Sequence, residues 1–294
     1  MSKNNLVTLF LMGEKGLTVL QEILPYKTFI AQVIGARDKN VQNDYYNEIR
    51  QLCIENRIEF HDRTENVSVQ SKYSIAISWR WIISPNADSR LIILHDSLLP
   101  KYRGFAPLVN MLINHESKVG VTALFANGEF DRGDIIAQKS IDVHYPIRIH
   151  EAIERVSKLY GELVLELLSK MSSGVEISAK PQNESEATYS LWRNEDDYAI
   201  DWNKDSAYIQ QFIYSVGFPF SGASSCYEGA KYRFWDCEVV EDVKIENRCP
   251  GKVLFMKEGC PIIVCGKGLL KITQLETEDG QSCLPLKKFR MWFK

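Results

Sequence analysis

The strongest constraint on the fold is a set of mostly apolar runs in the first half of the sequence. They are YSIAISW (73–79), LIILHDS (91–97) and VGVTALFA (119–126). Such runs are typical of strands that are buried on both faces of a parallel sheet. The stretch DYYNEIRQLCIEN (44–56) instead repeats apolar residues at helical spacing. Strands that alternate with helices predict a doubly wound, Rossmann-like α/β domain.

The pattern changes after a long amphipathic stretch, HEAIERVSKLYGELVLELLSKM, which predicts a helix. A polar segment follows, with the turn and linker residues of a domain boundary. Beyond it, five short strand-like runs punctuated by Gly predict a small β-barrel. We therefore expect an α/β domain over 1–172, a linker over 173–190 and a β-barrel domain over 191–294.

Composition narrows the class of protein. A length of 294 residues favours two domains, and a net charge of −3 disfavours a protein that mainly binds nucleic acid. Seven cysteines without a C-x-x-C pair predict reduced thiols, with neither a disulfide framework nor a metal site. The N-terminal run LVTLFLM is too short for a signal peptide, and no run approaches membrane length. These features predict a cytoplasmic protein that does not contact the membrane.

Ionisable residues gather where the strand LIILHDS ends. His95 closes this strand, and Asp131 follows the next one in the run NGEFDRGDI. Because ligands bind outside the carboxyl ends of strands in open α/β sheets, we expect both side chains at one edge. A histidine oriented by a carboxylate is a minimal general base. Arg103 adds a cation for an anionic ligand, although His95 by itself also fits a buried structural histidine.

The motif HDSLLPKYRG, followed by GVT and then FDRGDI, resembles formyltransferases that use 10-formyltetrahydrofolate. That family includes methionyl-tRNA formyltransferase and enzymes that N-formylate nucleotide-linked amino sugars. The tail segments TYSLWRNEDDYAIDW, FIYSVGFPFSGA and YRFWDCEVVED resemble its C-terminal, OB-like domain. The resemblance implies that His95 is the catalytic histidine and Asp131 the catalytic aspartate. It also implies 10-formyltetrahydrofolate as the formyl donor and no metal.

One residue departs from the family motif, which has asparagine two positions before the histidine. Here that position is Ile93, whose side chain cannot donate a hydrogen bond to an oxyanion. Loss of one such donor lowers the rate on the order of 10²–10³-fold. The segment SPNADSR (84–90), which precedes this strand, is also shorter than is usual for the family. Three interpretations stay open: His95 and backbone donors suffice, another donor such as Asn127 or Ser78 substitutes, or the chain is a catalytically weak relative that binds ligand.

The resemblance also assigns the binding residues. The folate pocket would be formed at the end of SWRWIIS and in the loop opposite, by Trp81, Ile82, Ile83, Asn127, Gly128 and Glu129. Trp79 fits this pocket and a plain strand aromatic about equally. The acceptor substrate would lie against the loop residues Ser97, Leu98, Leu99, Pro100, Lys101, Arg103 and Gly104. Lys101 also fits an ordinary solvated loop.

The acceptor is predicted from what the sequence lacks relative to the family. The tRNA-directed enzymes carry a basic insertion after the second strand, whereas this chain has a short, charge-balanced stretch that enters a helix directly. The purine-pathway members lack a tail of this kind. We therefore expect a nucleotide-linked amino sugar, of the 4-amino-4,6-dideoxy type, used in polysaccharide biosynthesis. A tRNA substrate is the disfavoured alternative, and a homodimer is compatible with the family.

Overall fold

A computed structural model describes residues 7–69, 71–83 and 89–294, so Met1–Leu6, Gln70 and five residues of SPNADSR lie outside the described part. The chain divides into two compact units. The first comprises 1–108, 117–143 and 152–191, and the second comprises 109–116, 144–151 and 192–294. The second unit thus takes two short segments from within the predicted first domain. Residues 173–190, predicted as a linker, pack in the first unit.

The first unit contains a seven-stranded sheet in the order β3-β2-β1-β4-β5-β7-β8. Five strands run parallel, in agreement with the Rossmann-like prediction. In chain order the strands are β1 (Val7–Leu11), β2 (Ile30–Gly35), β3 (Phe60–Asp62), β4 (Tyr73–Ile77), β5 (Arg90–His95), β7 (Lys118–Phe125) and β8 (Ile135–Asp142). A short pair outside this sheet joins β6 (Arg103–Gly104) to β9 (Tyr189–Ser190).

The sheet departs from the sequence prediction at β7, which is antiparallel to β5 and to β8. The apolar run VGVTALFA predicts burial on both faces, and six of the eight β7 residues are buried. Burial on two faces does not fix strand direction, because it depends on the covering layers and not on hydrogen-bond geometry. Strand β8 was not predicted, although IIAQKSID alternates apolar and polar residues as a half-exposed strand does.

The α-helices of the described residues are α1 (Gly13–Glu22), α2 (Tyr46–Asn56), α3 (Pro107–Ile113), α4 (Ile149–Ser172) and α5 (Ser206–Ser215). Helix α1 contacts β1, α2 contacts β2, and the two helices contact each other. In α4 four buried residues recur every three or four positions and so form one apolar face: Val156, Tyr160, Leu163 and Leu167. Within the described residues, no helix is both long and apolar enough to cross a membrane.

The second unit contains an antiparallel five-stranded sheet in the order β10-β11-β14-β13-β12. Its strands are β10 (Ala223–Tyr227), β11 (Ala230–Val240), β12 (Val253–Lys257), β13 (Cys260–Val264) and β14 (Leu269–Thr277). They correspond to the five Gly-punctuated runs of the sequence. Helix α5 packs on β11, and Asp205 accepts a hydrogen bond from the Tyr208 N–H at the helix start (2.7 Å). Closure of this sheet into an OB-like barrel stays a prediction.

Candidate functional site

His95 is buried at the carboxyl end of β5, with two oxygen atoms beside its ring. Nε2 lies 2.8 Å from the Tyr102 carbonyl oxygen, and Nδ1 lies 3.4 Å from Asp131 Oδ1. Because a carbonyl oxygen can only accept, Nε2 is the donor in that contact. Nδ1 therefore carries the lone pair of the neutral ring, and it faces a carboxylate. Uptake of a proton at Nδ1 would turn this contact into a charge-assisted hydrogen bond.

Asp131 reaches His95 by a route that the sequence reasoning did not foresee. Since β7 is antiparallel, its end at Phe125 lies beside Ile92, at the opposite end of β5 from His95. The following loop carries Asp131 back along the sheet. Asp131 has a φ of 56°, and its Oδ2 accepts a hydrogen bond from the Gly104 N–H (2.8 Å). The two residues thus meet as expected, but through a returning loop and not through adjacent parallel strand ends.

Two glycines and one glutamine hold this loop in place. A Cβ at Gly133 would lie 1.6 Å from the Phe125 carbonyl oxygen, and one at Gly104 would lie 2.6 Å from the Ser190 carbonyl oxygen. Gln182 Nε2 donates to the carbonyl oxygens of Asp131 (2.7 Å) and Gly133 (2.8 Å). The close backbone approaches therefore need glycine, and the position of Asp131 depends on a residue from the predicted linker.

Arg103 does not present its charge to a ligand, contrary to the expectation from sequence. The side chain is fully buried, and it binds Glu184 at 2.7 Å and Gln182 through Nε and Nη2. Nη1 also donates to Glu184 (2.9 Å) and to the Tyr189 hydroxyl (3.3 Å). All five N–H donors are engaged within the chain. Arg103 therefore joins the loop to residues 182–189 as a structural group.

The other residues of the predicted acceptor loop are in part buried and in part exposed to solvent. Ser97 is fully buried and donates to the Lys101 carbonyl (2.7 Å), and Leu99 is also buried. Thr122 of β7 fixes both, because its hydroxyl donates to the Ser97 carbonyl and accepts from the Leu99 N–H. Lys101 is exposed, and Leu98, Pro100 and Gly104 are half-buried. Ser97 and Leu99 thus shape the loop, and Lys101 is its exposed cation.

Ile93 lies on the same face of β5 as His95 and packs against an apolar cluster. That cluster comprises Phe10, Ile34, Ala76 and Leu91, with Val69, Trp79, Ile83 and Ile93 against it. The Trp79 ring packs edge-on against Phe10, with 5.1 Å between ring centroids. The position of the family asparagine is therefore continuous with an apolar surface.

The remaining folate-pocket candidates border this cluster or lie in an exposed loop. Trp81 stacks under the Arg63 guanidinium (4.1 Å) and touches Trp79 edge-on (5.3 Å), whereas Ile82 is 85% exposed. In the loop after β7, Asn127, Gly128 and Glu129 are all exposed. Asn127 Oδ1 accepts from the Glu129 N–H (3.1 Å), and Glu129 forms an ion pair with Arg132. The two tryptophans are thus in contact with each other, whereas Asn127 and Glu129 form their contacts within their own loop.

A second buried charge pair adjoins His95 and was not predicted. Asp96 Oδ2 lies 2.5 Å from Lys15 Nζ, and Oδ1 accepts a hydrogen bond from the Tyr160 hydroxyl (2.6 Å). The acid was visible next to the histidine in LIILHDS. Its partners were not, because they come from α1 and α4. Across the described ranges, no group of three or more His, Cys, Asp or Glu side chains could hold a metal ion.

The structure thus defines a class of protein, with a parallel-rich α/β unit that bears a histidine–carboxylate pair and an antiparallel β unit after it. Residues 43–168 match the family model described as formyl transferase. Residues 194–289 match the model described as formyl transferase, C-terminal domain. The two models together cover most of the chain. The chain belongs to the formyl transferase family.

Curated relatives are similar to part of the chain. Methionyl-tRNA formyltransferase of Ralstonia pickettii is 31% identical over 198 residues, which are 67% of this chain and 60% of the relative. The enzyme of the same description from Thermodesulfovibrio yellowstonii is 33% identical over 198 residues, 67% of this chain and 61% of the relative. The chain thus spans less than two thirds of the length of these relatives.

Solved structures match the fold over nearly the whole chain. WlaRD, described as a sugar 3N-formyl transferase in the presence of dTDP and 5-N-formyl-THF, superposes with a TM-score of 0.67 at 18% identity, covering 96% of this chain and 98% of that one. An N-formyltransferase from Helicobacter canadensis, in complex with folinic acid and dTDP-3-aminofucose, has a TM-score of 0.64 at 16% identity, with 96% and 100% coverage. At such identities these likenesses establish the fold alone.

Proposed function

We propose that the protein transfers a formyl group from 10-formyltetrahydrofolate to the amine of a nucleotide-linked amino sugar. The observation that carries this proposal is the His95–Asp131 pair, at the end of β5 and inside the stretch that matches the formyl transferase model. Formyl transfer needs a group that removes a proton from the attacking amine. A neutral imidazole with a carboxylate beside it meets that need.

The reaction balances as follows. The amine nitrogen attacks the formyl carbon on N10, a carbon–nitrogen bond forms, and the carbonyl oxygen becomes an oxyanion. His95 takes the amine proton, and Asp131 Oδ1, 3.4 Å away, stabilises the imidazolium. The bond from carbon to N10 then breaks, and the proton passes to N10. The products are the N-formyl sugar and tetrahydrofolate.

The oxyanion needs a donor other than Ile93, and Ser78 is the better placed of the two candidates. Since Ile77 pairs with Leu94 in the parallel register, Ser78 lies level with His95 at the same sheet edge. Its φ of 54° is in the left-handed region, which is uncommon for serine and concentrates at functional sites. Asn127 is exposed, and its side-chain oxygen binds the Glu129 N–H. We assign Ser78 as the oxyanion donor.

The acceptor is proposed from the segment after β2 and from two exposed rings. Between Gly35 and Tyr46 there is no surplus of positive charge, because two cations, Arg37 and Lys39, are matched by two acids, Asp38 and Asp44. Arg37 pairs with Asp44, and Asp38 pairs with Arg80. A tRNA backbone needs unneutralised basic groups, whereas a sugar nucleotide does not need them here. Phe105 and Phe130, 55% and 73% exposed, flank the Gly104–Asp131 contact with 6.5 Å between ring centroids. Such rings suit the flat face of a nucleobase or a deoxy sugar.

A tRNA acceptor is the second candidate, and the names of the curated relatives favour it. Binding of tRNA through phosphate contacts weakens steeply with salt. The sugar proposal is supported by the sugar N-formyltransferase structures, which this chain matches over nearly their full length. The two candidates therefore separate by product and by salt dependence.

The test incubates the protein with 10-formyltetrahydrofolate and a panel of UDP- and dTDP-linked amino sugars, with methionyl-tRNA in parallel. Mass spectrometry detects the gain of one formyl group. We expect a formylated sugar and no formylated tRNA. Formylation of tRNA alone would replace the sugar proposal with the second candidate, and folate binding without product would identify a non-catalytic relative.

Matched variants test the assigned roles in the same assay. His95→Ala should abolish most of the activity, and Ser78→Ala should lower kcat on the order of 10²-fold. Ile93→Asn should restore activity to Ser78→Ala, because asparagine would supply a donor at the family position. If Ser78→Ala retains full kcat, the oxyanion donor lies elsewhere. If His95→Ala retains full kcat, the mechanism is wrong while the family membership stands.

A further inference from the structure

A compact group of ionisable side chains adjoins His95, centred on the next residue in the chain. Asp96 follows His95 directly, and its carboxylate binds Lys15 of α1 (2.5 Å) and Tyr160 of α4 (2.6 Å). The Tyr160 hydroxyl also lies 3.2 Å from the Leu94 carbonyl oxygen, which ties α4 to β5. Three elements thus converge on one carboxylate beside the proposed general base.

Burial makes the charges of this group interact strongly. The side chain of Lys15 is 11% exposed and that of Asp96 is 20% exposed. Burial by itself raises the pKa of Asp96, but the Lys15 ammonium and the hydrogen bonds from Lys15 and Tyr160 outweigh it, so the pKa lies below its ordinary value. Positive charge on His95 lowers it further. Burial and the Asp96 charge raise the pKa of Tyr160, which therefore stays a hydrogen-bond donor.

We propose that Lys15 is a positioning residue which, by neutralising Asp96, sets the pH at which His95 takes up a proton. Asp131 contacts the imidazole at Nδ1, whereas Asp96 follows His95 directly in the chain and interacts with it electrostatically. A negative charge on either carboxylate favours the imidazolium. With Lys15 in place, the charge of Asp96 is compensated and Asp131 is the main carboxylate that acts on the ring. The inference rests on the proposed role of His95 as the base of formyl transfer.

The charged and polar groups around His95 determine in which direction each substitution should shift its protonation. Asp131 faces Nδ1 from the loop after β7, and the Tyr102 carbonyl faces Nε2 from the loop after β5. Asp96 lies next in the chain, with Lys15 and Tyr160 against it. Removing the Lys15 charge leaves one additional negative charge near the ring. Removing the Asp96 charge leaves one additional positive charge, so the two changes act in opposite directions.

The experiment follows the ring resonances of His95 against pH by NMR, using His95→Gln to assign them. In Lys15→Met the midpoint of the His95 titration should rise, and in Asp96→Asn it should fall, each by about half to one pH unit. Lys15→Arg keeps the cation and should keep the wild-type midpoint. The double variant Lys15→Met/Asp96→Asn should return close to the wild-type midpoint because both charges are gone.

A matched pair elsewhere in the first unit serves as control. Lys118 and Asp142 form an exposed ion pair (3.8 Å) between β7 and β8, and Lys118→Met should leave the His95 midpoint unchanged. The inference is supported if the midpoint of Lys15→Met exceeds that of Asp96→Asn by half a unit or more, on the order of a nearby charge effect. It is overturned if both variants keep the wild-type midpoint or move in the same direction. If Asp96→Asn does not fold, the comparison of Lys15→Met with Lys15→Arg decides in the same way.

The titration is read without substrate, so it stands apart from the activity assay. Opposite midpoint shifts in a protein that formylates nothing would keep this inference and remove the proposed function. Unchanged midpoints in an active enzyme would do the reverse. In the active enzyme, the acid limb of the pH profile of kcat/KM should move with the NMR midpoint, which a purely structural role of Lys15 would not produce.

Discussion

Two cations of the first unit lie close to the candidate site, and the structure uses them differently. Arg103, in the motif SLLPKYRG, is fully buried with all five donors engaged, and its main partner Glu184 is half-exposed. Lys15, in a helix turn that carried no functional signal, pairs with a mostly buried carboxylate next to His95. Arg103, which belongs to the motif, stabilises the loop. Lys15, which lies outside the motif, acts electrostatically on the proposed base.

Proximity of a charge to a site therefore does not define its role. The role of a cation depends on whether it keeps free hydrogen-bond donors and on whether the carboxylate that it pairs with is buried or exposed. Arg103 binds a flexible carboxylate that water also solvates, so this contact mainly fixes geometry. The Asp96 carboxylate is held away from most water, so its charge acts on neighbouring groups through a medium of lower dielectric.

The largest expected effect comes from removing Arg103. Arg103→Met should destabilise the first unit by about 3 kcal/mol, because the loop loses the five hydrogen bonds that anchor it to Gln182, Glu184 and Tyr189. Arg103→Lys should recover only part of that, since a lysine cannot reproduce the planar fork. Urea unfolding of the three proteins measures both losses. Unchanged stability together with a raised KM for an anionic acceptor would instead return Arg103 to ligand binding.

Breaking the ion pair between Lys15 and Asp96 should lower stability somewhat less. Lys15→Met should destabilise the protein by about 2–3 kcal/mol, because it leaves a mostly buried carboxylate unpaired. The double variant Lys15→Met/Asp96→Leu should recover most of that loss, since apolar residues often replace a buried ion pair without penalty. Urea unfolding again provides the measurement. A double variant no more stable than the single one would show that Asp96 supports the fold beyond its pairing with Lys15.

The pH dependence of stability should show whether the contact between Arg103 and Glu184 stabilises the fold. Hydrogen bonds from Arg103, and then its charge, lower the pKa of Glu184 to about 2, from an ordinary value of 4.5. A depressed carboxyl pKa stabilises the fold above the unfolded value, and that stabilisation is lost as pH falls from about 4.5 towards 2. The urea midpoint of Glu184→Gln should therefore fall less over this range than that of the wild type. Parallel curves would mean that the contact contributes nothing in solution.

The smallest expected effect concerns Lys101, the exposed cation of the same loop. Lys101→Ala should change stability by no more than about 0.5 kcal/mol, as is usual for an exposed surface position. If Lys101 meets a diphosphate, KM for the sugar nucleotide should rise several-fold while kcat changes little. Steady-state kinetics at low and high salt check this. An unchanged KM would remove Lys101 from the acceptor site and leave the exposed rings as its main contacts.

Much of the fold could be predicted because its signals are local. Most of the parallel strands and the long helix α4 follow from the apolar pattern alone, and so do the five strands of the second unit. The three-residue strand β3 does not, because FHD has a single apolar residue. Strand β8 carries a local signal, the alternation of apolar and polar residues in IIAQKSID. The direction of β7 carried none, because an apolar run reads the same in either direction. Parallel and antiparallel neighbours differ in hydrogen-bond geometry, which side-chain pattern does not encode.

The site was predictable only in part. His95 is placed at the strand end by the sequence, and the motif resemblance supplied Asp131. The contacts of Arg103 could not be anticipated, since Gln182 and Glu184 lie about 80 positions further along the chain. The same holds for Asp96, whose partner Lys15 lies 81 positions before it. Such partners meet only after the chain folds back on itself.

The family, the alternating α/β pattern and the position of His95 can be read from the sequence, because each depends on residues close together in the chain. Three features depend on the folded chain: β7 runs antiparallel, Asp131 returns to His95 along a loop held by Gln182, and Arg103 has no free donor. They cannot be read from the sequence because hydrogen-bond satisfaction and burial are set by partners distant in sequence. A charged residue in a motif is therefore available to a ligand only if the fold leaves its donors unoccupied.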